Sequence, residues 1–370
     1  MHDCIIIGGG LIGMLTAREL AMAGRQVLLI EQGQTGRESS WAGGGIISPL
    51  YPWRYHASIT ALASWSQRHY PALADALQAE GGIDPEYIKS GLLIIEPEDI
   101  EYAMEWAGSA QQILQKIDQS AARNCEPALK TEFHFAAWMP EVAQIRNPRL
   151  AKSAYHSIHN RVEIRQQTQV TGFLTHGDQI RGVSTASENI PSACVIVCAG
   201  AWTGNLLQEF IPPPKIEPVL GQMILFRTDP GTISRIVLHQ DRYVIPRRDG
   251  RVLVGSTLEY RGFDKSTSTE AKNSLTSFAL KHFPQLSQYE MEHHWAGLRP
   301  GSPQGIPYIG PVPGVEGLYL NAGHFRNGVV LGPASARLMA DLVLGREPIV
   351  PPVPYAIDAP RDKAARPRLS

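Results

Sequence analysis

The residues best suited to chemistry by type and spacing are the glycines of Gly8-Gly9-Gly10-Leu11-Ile12-Gly13 and the acid at Glu31. Three of these glycines answer separate needs of a pyrophosphate site. Gly8 permits a tight turn, Gly10 lets the backbone approach the phosphates, and Gly13 lets a following helix pack closely on the preceding strand. A helix starting near Leu11 turns unpaired N–H groups and the positive end of its dipole toward an anion. Glu31 falls where a carboxylate can accept hydrogen bonds from ribose hydroxyls. The chemistry expected is the holding of a dinucleotide. On the glycines alone, a Gly-rich turn in an ordinary α/β domain is the competing reading.

The elements around the motif favour the dinucleotide. An apolar run from Asp3 to Ile7 leads into the glycines, an Ala/Leu-rich helical stretch follows, and a second apolar strand from Gln26 to Ile30 ends on the acid, as in a βαβ unit. A loop, Gly33 to Ser40, precedes Trp41-Ala42-Gly43-Gly44-Gly45-Ile46-Ile47, a run that lets the backbone come close to something flat or charged, or is simply a flexible loop.

Further along, helical periodicity marks 58–79, 100–117, 149–160, 269–282 and 332–344. Strand patterns mark 91–96, 162–164, 169–174, 179–185, 194–198, 221–227, 243–247, 251–256 and 290–295. Asp249-Gly250 reads as a turn between strands. Pro212-Pro213-Pro214 reads as a crossing between domains, and the Pro- and Arg-rich stretch after Val350 as a loosely ordered tail. The segment from Gly317 to Val330 repeats the opening logic of strand, glycine turn and helix start.

The chain has 370 residues, which suggests about two domains, and 43% apolar with 19% charged residues fits a soluble globular protein. A net charge of −1 gives no electrostatic case for nucleic acid or an anionic membrane. No apolar run nears the roughly 18 residues of a membrane helix. The N-terminus does not read as a signal peptide, because it carries Asp3 and no basic flank. Of the four cysteines, Cys194 and Cys198 lie on one expected strand about 13 Å apart, too far to bridge. No Cys/His spacing suits a metal, and the four thiols, Cys4, Cys125, Cys194 and Cys198, suit a reducing cytoplasm.

Four motifs in order carry a family likeness: Gly8–Gly13, Cys198-Ala199-Gly200-Ala201-Trp202, Trp295-Ala296-Gly297-Leu298-Arg299-Pro300 and Gly323-His324-Phe325-Arg326-Asn327-Gly328. Together they resemble the D-amino-acid-oxidase-like FAD oxidoreductases, over about residues 3 to 345. The resemblance implies an α/β chain, α+β overall. A Rossmann-like FAD-binding domain (1–85, 146–215 and 297–350) would be joined to an antiparallel-sheet substrate domain (86–145 and 216–296), with 351–370 as tail.

The resemblance further implies FAD rather than a nicotinamide. Glu31 and Gln32 would meet the ribose, and Leu11, Ile12, Ser39 and Ser40 the pyrophosphate. Val170 would reach the adenine through its backbone, and Gly44, Gly45 and Ile46 would lie along the isoalloxazine ring. Gly200 and Trp202, with the stretch His324, Phe325, Arg326, Asn327, Gly328, Val329 and Val330, would complete the cradle. The sarcosine oxidases of this family attach flavin to a cysteine near the substrate arginine. Trp295-Ala296-Gly297-Leu298 has none, which implies non-covalent FAD.

For the reaction, the resemblance implies oxidative deamination of glycine and small amines such as sarcosine. Hydride passes to flavin N5, oxygen becomes peroxide, and the imine goes to glyoxylate and ammonia or to thiazole synthesis. Arg299 and Arg326 would grip the carboxylate, since a planar guanidinium makes two parallel bonds to it. Tyr243 would add its hydroxyl, while Ile46, Asp241 and Leu258 would wall the substrate. On spacing alone, an arginine beside a Gly-Pro turn is usually a surface or structural ion pair. Other amine substrates, such as sarcosine, D-proline or pipecolate, and an electron-passing FAD subunit stay open as alternatives. Relatives suggest a homotetramer.

Overall fold

Alternation of side chains explains how the apolar runs are used. In the strand Cys4–Ile7, Cys4 and Ile6 enter one core while Ile5 and Ile7 enter another, so the strand is buried on both faces. The computed structural model describes residues 2–208 and 214–361. It builds Cys4–Ile7 into a six-stranded sheet ordered Tyr308–Pro311, Leu318–Ala322, Val195–Val197, Cys4–Ile7, Val27–Ile30 and Glu163–Arg165. All neighbours are parallel except Tyr308–Pro311 against Leu318–Ala322.

One face of that sheet is covered by the helices Leu11–Met22, Ala57–Gly81, Asn147–Ile158 and Gly328–Leu344. The other is covered by an antiparallel three-stranded sheet through Val170, Ile180, Val183 and Ile190. Each fully buried Ile or Leu here contributes roughly 1.5–3 kcal/mol.

The second large sheet has eight strands in the order Glu290–Gly301, Glu217–Arg227, Arg251–Gly255, Arg242–Pro246, Ile236–His239, Leu92–Ile95, Phe135–Met139 and Gln115–Asp118. It is antiparallel except for one parallel pair, Ile236–His239 with Leu92–Ile95. The helix Thr269–His282 packs on one face through Leu275 and Ala279. The opposite face carries Met223, Tyr243, Ile245 and Leu253, together with Ile46 and Leu50.

Several expectations are corrected. The helix expected over 100–117 ends at Ser109, and Gln115–Asp118 is a strand paired with Phe135–Met139. The last helix begins at Gly328, not 332. A short helix, Glu38–Ala42, interrupts the expected glycine-rich loop. The strand Glu290–Gly301 runs unbroken across the expected division at 296/297, so Trp295 and Arg299 share it.

The expected loose tail is tied down as far as it is described. Tyr355 is buried and its hydroxyl donates to Ser58 O at 2.7 Å. Arg361 lies over the Tyr308 ring and donates to the carbonyls of Ile306 and Pro307. Residues 362–370 lie outside the described residues, as do Pro212 and Pro213 of the expected crossing.

A histidine pair under the eight-stranded sheet gives a pH-dependent stability. His282 is fully buried, and its Nδ1 contacts Phe278 O at 2.8 Å. Its Nε2 lies 2.8 Å from His239 Nδ1. With one hydrogen between the facing nitrogens the pair is satisfied; a further proton opposes two donors. Burial pushes His282 down to about 4, and burial with nearby Lys281 also lowers His239, against a small upward pull from Glu96. Because the folded values lie below the usual 6.5, this stabilisation is complete above about pH 6.5 and is lost as pH falls toward 4. Between pH 6.5 and 4.5, His282 alone should cost about 2–3 kcal/mol. Urea unfolding at the two pH values should show the loss, and His282→Met should flatten it. An equal pH slope in the variant would exclude the pair as its source.

Candidate active site

The glycine turn forms because its members fit where a side chain could not. Gly8 has φ +111°, and a Cβ there would meet Cys198 O at 2.4 Å. A Cβ on Gly13 would meet Gly8 O at 1.9 Å, so strand and helix approach to backbone contact. The helix Leu11–Met22 has no side-chain cap from its own N-cap, Gly10; instead Leu11 N donates to Ser40 Oγ at 2.8 Å. The Glu31 carboxylate is fixed by two backbone donors, Gly9 N at 2.7 Å and Gly33 N at 2.8 Å.

Two adjoining cavities run from this turn. The larger is walled by Gly8, Gly10, Glu31, Gln32, Val170 and Trp202 among others. The smaller lies between the glycine turn and the eight-stranded sheet. Gly10, Ser39, Ser40, Cys198 and Gly200 line both, so the two form one extended slot. The smaller cavity brings together Leu11, Ile12, Gly44, Gly45 and Ile46 with Tyr243 and Arg299. His324, Phe325, Arg326, Gly328, Val329 and Val330 close its far side.

Four expected residues do not line either cavity. Gly13 and Asn327 sit behind the walls. Leu258 is 39% exposed, and neither it nor Asp241 lines a cavity wall. One Asp241 oxygen is buried without a partner, and burial raises its pKa against the pull of Arg326, Arg54 and Arg242.

The chemistry at the smaller cavity centres on two guanidinium groups. Arg299 donates through Nη1 to Leu220 O (3.3 Å) and Thr257 O (3.2 Å), and through Nη2 to Ser256 Oγ (2.7 Å). Desolvation pushes its pKa down to about 10, which leaves it charged at neutral pH. Arg326 is half-buried. Among the described residues, neither arginine forms an ion pair with a carboxylate. Two guanidiniums without an ion-pair partner face one small cavity, with Asp241 and Glu259 acting on them only from a distance, and such a cavity suits an anion. Gly221 makes room for the first: a Cβ there would meet both Arg299 Nη atoms at 2.2 Å.

Sequence reasoning missed Gly221, Ser256 and Arg247. Arg247 is buried and donates to Gly44 O (2.7 Å), Ile145 O (3.1 Å) and Gln144 Oε1 (2.8 Å), which fixes the second glycine run. The signal was present, since Tyr243, Ile245 and Arg247 fall on one face of the strand expected over 243–247 by alternation. A glycine inside a strand, as at Gly221, likewise marks a close approach.

The slot fits FAD. Its length joins a ribose-side acid to a helix start and ends against a second helix start, Gly328–Leu344, whose first turn has no side-chain cap. Buried polar atoms at that end, His324 Nε2 and Asn327 Nδ2, lack partners within the protein. Burial holds His324 at about 3, so its imidazole is neutral. Of the four cysteines, only Cys198 reaches the wall, and burial pushes its thiol up to about 12, which suits non-covalent binding. No group of His, Cys, Asp and Glu among the described residues could hold a metal, and no helix among them is long and apolar enough to cross a membrane.

Comparison with known proteins agrees with this geometry. A model of the family described as DAO, FAD dependent oxidoreductase, matches residues 3–342. A glycine oxidase of Pseudomonas aeruginosa is 50% identical over 354 residues, 95% of this chain and 97% of that protein. One of Pseudomonas putida is 50% identical over 355 residues, with the same coverage. Among solved structures, the glycine oxidase from Geobacillus kaustophilus matches with a TM-score of 0.90 at 26% identity, covering 96% of this chain and 98% of that one.

Proposed function

Since the chain belongs to the DAO family of FAD-dependent oxidoreductases, we propose that it is a glycine oxidase. The net reaction is glycine, oxygen and water to glyoxylate, ammonia and hydrogen peroxide. The observation that carries the reading is the pair of guanidiniums without an ion-pair partner, Arg299 and Arg326, on the cavity that also holds Tyr243.

Bound in the slot, FAD supplies a two-electron acceptor that oxygen restores. The protein's own groups do the rest. Arg299 and Arg326 take the substrate carboxylate, and the Tyr243 hydroxyl adds a third polar contact to it. Ile46, Leu50 and Met223 give the cavity an apolar wall that favours a small Cα substituent. Neutral His324 is too weak a base to remove a proton at pH 7, so the amine enters unprotonated and gives its proton to solvent. Holding the Cα–H bond in a fixed line lowers the barrier through orientation. The uncapped helix start at Gly328 favours negative charge developing beside it.

The same reading assigns FAD to segments 1–85, 146–215 and 302–350 and the substrate to 86–145 and 216–301, with the last division moved to the end of the strand at Gly301. It includes a cytoplasmic homotetramer; four free cysteines suit that compartment. The imine formed before hydrolysis is the form that thiazole synthesis would consume.

The test is a visible spectrum of the purified protein. Flavin bands should be present, anaerobic glycine should bleach them, and air should restore them with peroxide release. Bleaching only by sarcosine, D-proline or pipecolate would move the assignment to another amine. Bleaching without reoxidation by oxygen would make the chain an electron-passing subunit.

A further inference from the structure

Arg299 lacks an anionic partner, yet its guanidinium is held in one orientation. Three of its five hydrogens are taken by Leu220 O, Thr257 O and Ser256 Oγ. The Nε–H and one Nη2–H are left by these three acceptors, on a guanidinium that the Tyr243 hydroxyl also hydrogen-bonds, and they form the edge that grips a carboxylate side-on. What fixes the acceptors is a polar cluster behind them that the reaction does not use.

Gln222, on the strand Glu217–Arg227 opposite Ala296 of Glu290–Gly301, is fully buried. Its Oε1 accepts from Ser268 N (2.9 Å) and lies 3.0 Å from His294 Nε2. Its Nε2 donates to Glu259 Oε1 (2.8 Å). The same Glu259 oxygen accepts from Thr257 Oγ1 (2.6 Å), whose oxygen in turn accepts from Gln222 N (3.0 Å). The Glu259 backbone pairs with Leu220 in both directions, N to O at 3.0 Å and O from N at 2.8 Å. Thus both carbonyls that hold Arg299 Nη1 belong to residues tied to Glu259.

We propose that Glu259 is the positioning residue for Arg299. Its carboxylate, gripped by Thr257 and Gln222, locks the Thr257 carbonyl against Nη1 and so turns the free Nε/Nη2 edge into the cavity. The Glu259 carboxylate, which also pairs with Arg261 Nη1 at 3.5 Å, attracts the guanidinium without bonding it. The arrangement keeps the cation in place while leaving it free of an ion pair for a substrate carboxylate. The inference rests on the carboxylate-binding reading of the cavity.

The experiment compares Glu259→Leu, Glu259→Gln and Thr257→Val as FAD-loaded full-length protein. Acetate is titrated by calorimetry and by the change it makes in the flavin spectrum, and glycine turnover is measured alongside. Glu259→Leu and Thr257→Val should raise the acetate Kd and the glycine KM about tenfold with kcat within about twofold. Glu259→Gln keeps an acceptor oxygen and should recover most of the loss. Acetate affinity and KM within twofold of the parent in both disruptive variants would overturn the proposal. So would equal losses of KM and kcat, or no recovery in Glu259→Gln. If Glu259→Leu does not fold, Thr257→Val against Glu259→Gln decides. A parent protein that binds acetate but does not oxidise glycine refutes the proposed reaction while the positioning result stands. One that does neither refutes both.

Discussion

Arg299→Ala is expected to lower kcat/KM for glycine by about 10²- to 10³-fold while FAD stays bound, because removing one partner of a buried, hydrogen-bonded charge pair costs roughly 2–5 kcal/mol. Most of the loss should appear in KM, since an arginine that grips the carboxylate would hold it alike in the ground and transition states. A smaller loss in kcat follows if the remaining grip, from Arg326 and Tyr243, lets the Cα–H bond swing away from the ring. The cofactor should be unaffected, because Arg299 stands on the strand Glu290–Gly301, across the cavity from the glycine turn. Arg299→Lys separates charge from shape. Lysine restores the cation but not the planar fork, and the socket of Leu220 O, Thr257 O and Ser256 Oγ is shaped for a guanidinium. Its kcat/KM should fall between the parent and the alanine variant. Steady-state kinetics with glycine, run beside the flavin spectrum, decides the matter. An unchanged KM in Arg299→Ala removes this residue from the site.

What could be read from the chain alone divides by how local the cause is. The opening turn was legible because two of its requirements are set within a few residues, the positive φ of Gly8 (+111°) and the contact of Gly13 with Gly8 O, although Cys198 O also closes on Gly8 from far along the chain. The strand Gln115–Asp118 was not legible. Its residues are polar and mostly exposed, and it exists because Phe135–Met139 offers an edge to pair with, a partner twenty residues away. Helical periodicity therefore carried the expected helix on through it to Ile117.

The site shows the same division. Arg299, Arg326 and Tyr243 stand on cavity walls, where the family motifs point, and Arg247, one residue past the strand Arg242–Pro246, is carried onto the face of Tyr243 by its bond to Gly44 O. Asp241 and Leu258 lie just outside strand ends, Asp241 in the turn before Arg242–Pro246 and Leu258 beyond Arg251–Gly255. Alternation no longer applies there, and the path of the turn alone sets where a side chain goes. Glu259 and Gln222 were invisible for a different reason. Their roles come from hydrogen bonds between segments 37 residues apart, and neither carries a motif.

Gly13→Ala should abolish stable FAD binding, and the cause is one methyl group. That methyl would stand 1.9 Å from Gly8 O and 3.1 Å from Gly8 C. Neither neighbour can yield alone. Gly8 is held by its N–H to Ile30 O at 2.8 Å and by the strand behind it, whose Ile5 and Ile6 are fully buried. The helix is held along its length by Met14, Ala17 and Leu20, all without exposure. Relief must come at the helix N-terminus, which has to lift away from the turn. Leu11 and Gly10, both on the slot wall, would move with it, and so would the N–H groups aimed at the pyrophosphate. Overpacking of this kind costs roughly 1–3 kcal/mol of stability, which a chain of this size survives. The variant should therefore fold, with far-ultraviolet circular dichroism close to the parent's, and emerge from gel filtration colourless. Its FAD affinity should be at least about 10²-fold weaker, because the loss falls on several charge-assisted contacts at once. Gly332→Ala is the control on the facing helix: a Cβ there meets only side-chain ends of Leu15, Ile12 and Leu11, at 3.4 Å or more, and should keep its flavin. Stoichiometric FAD in Gly13→Ala would mean the helix start is not what holds the pyrophosphate, and the anion site would have to be sought at the second helix start, Gly328.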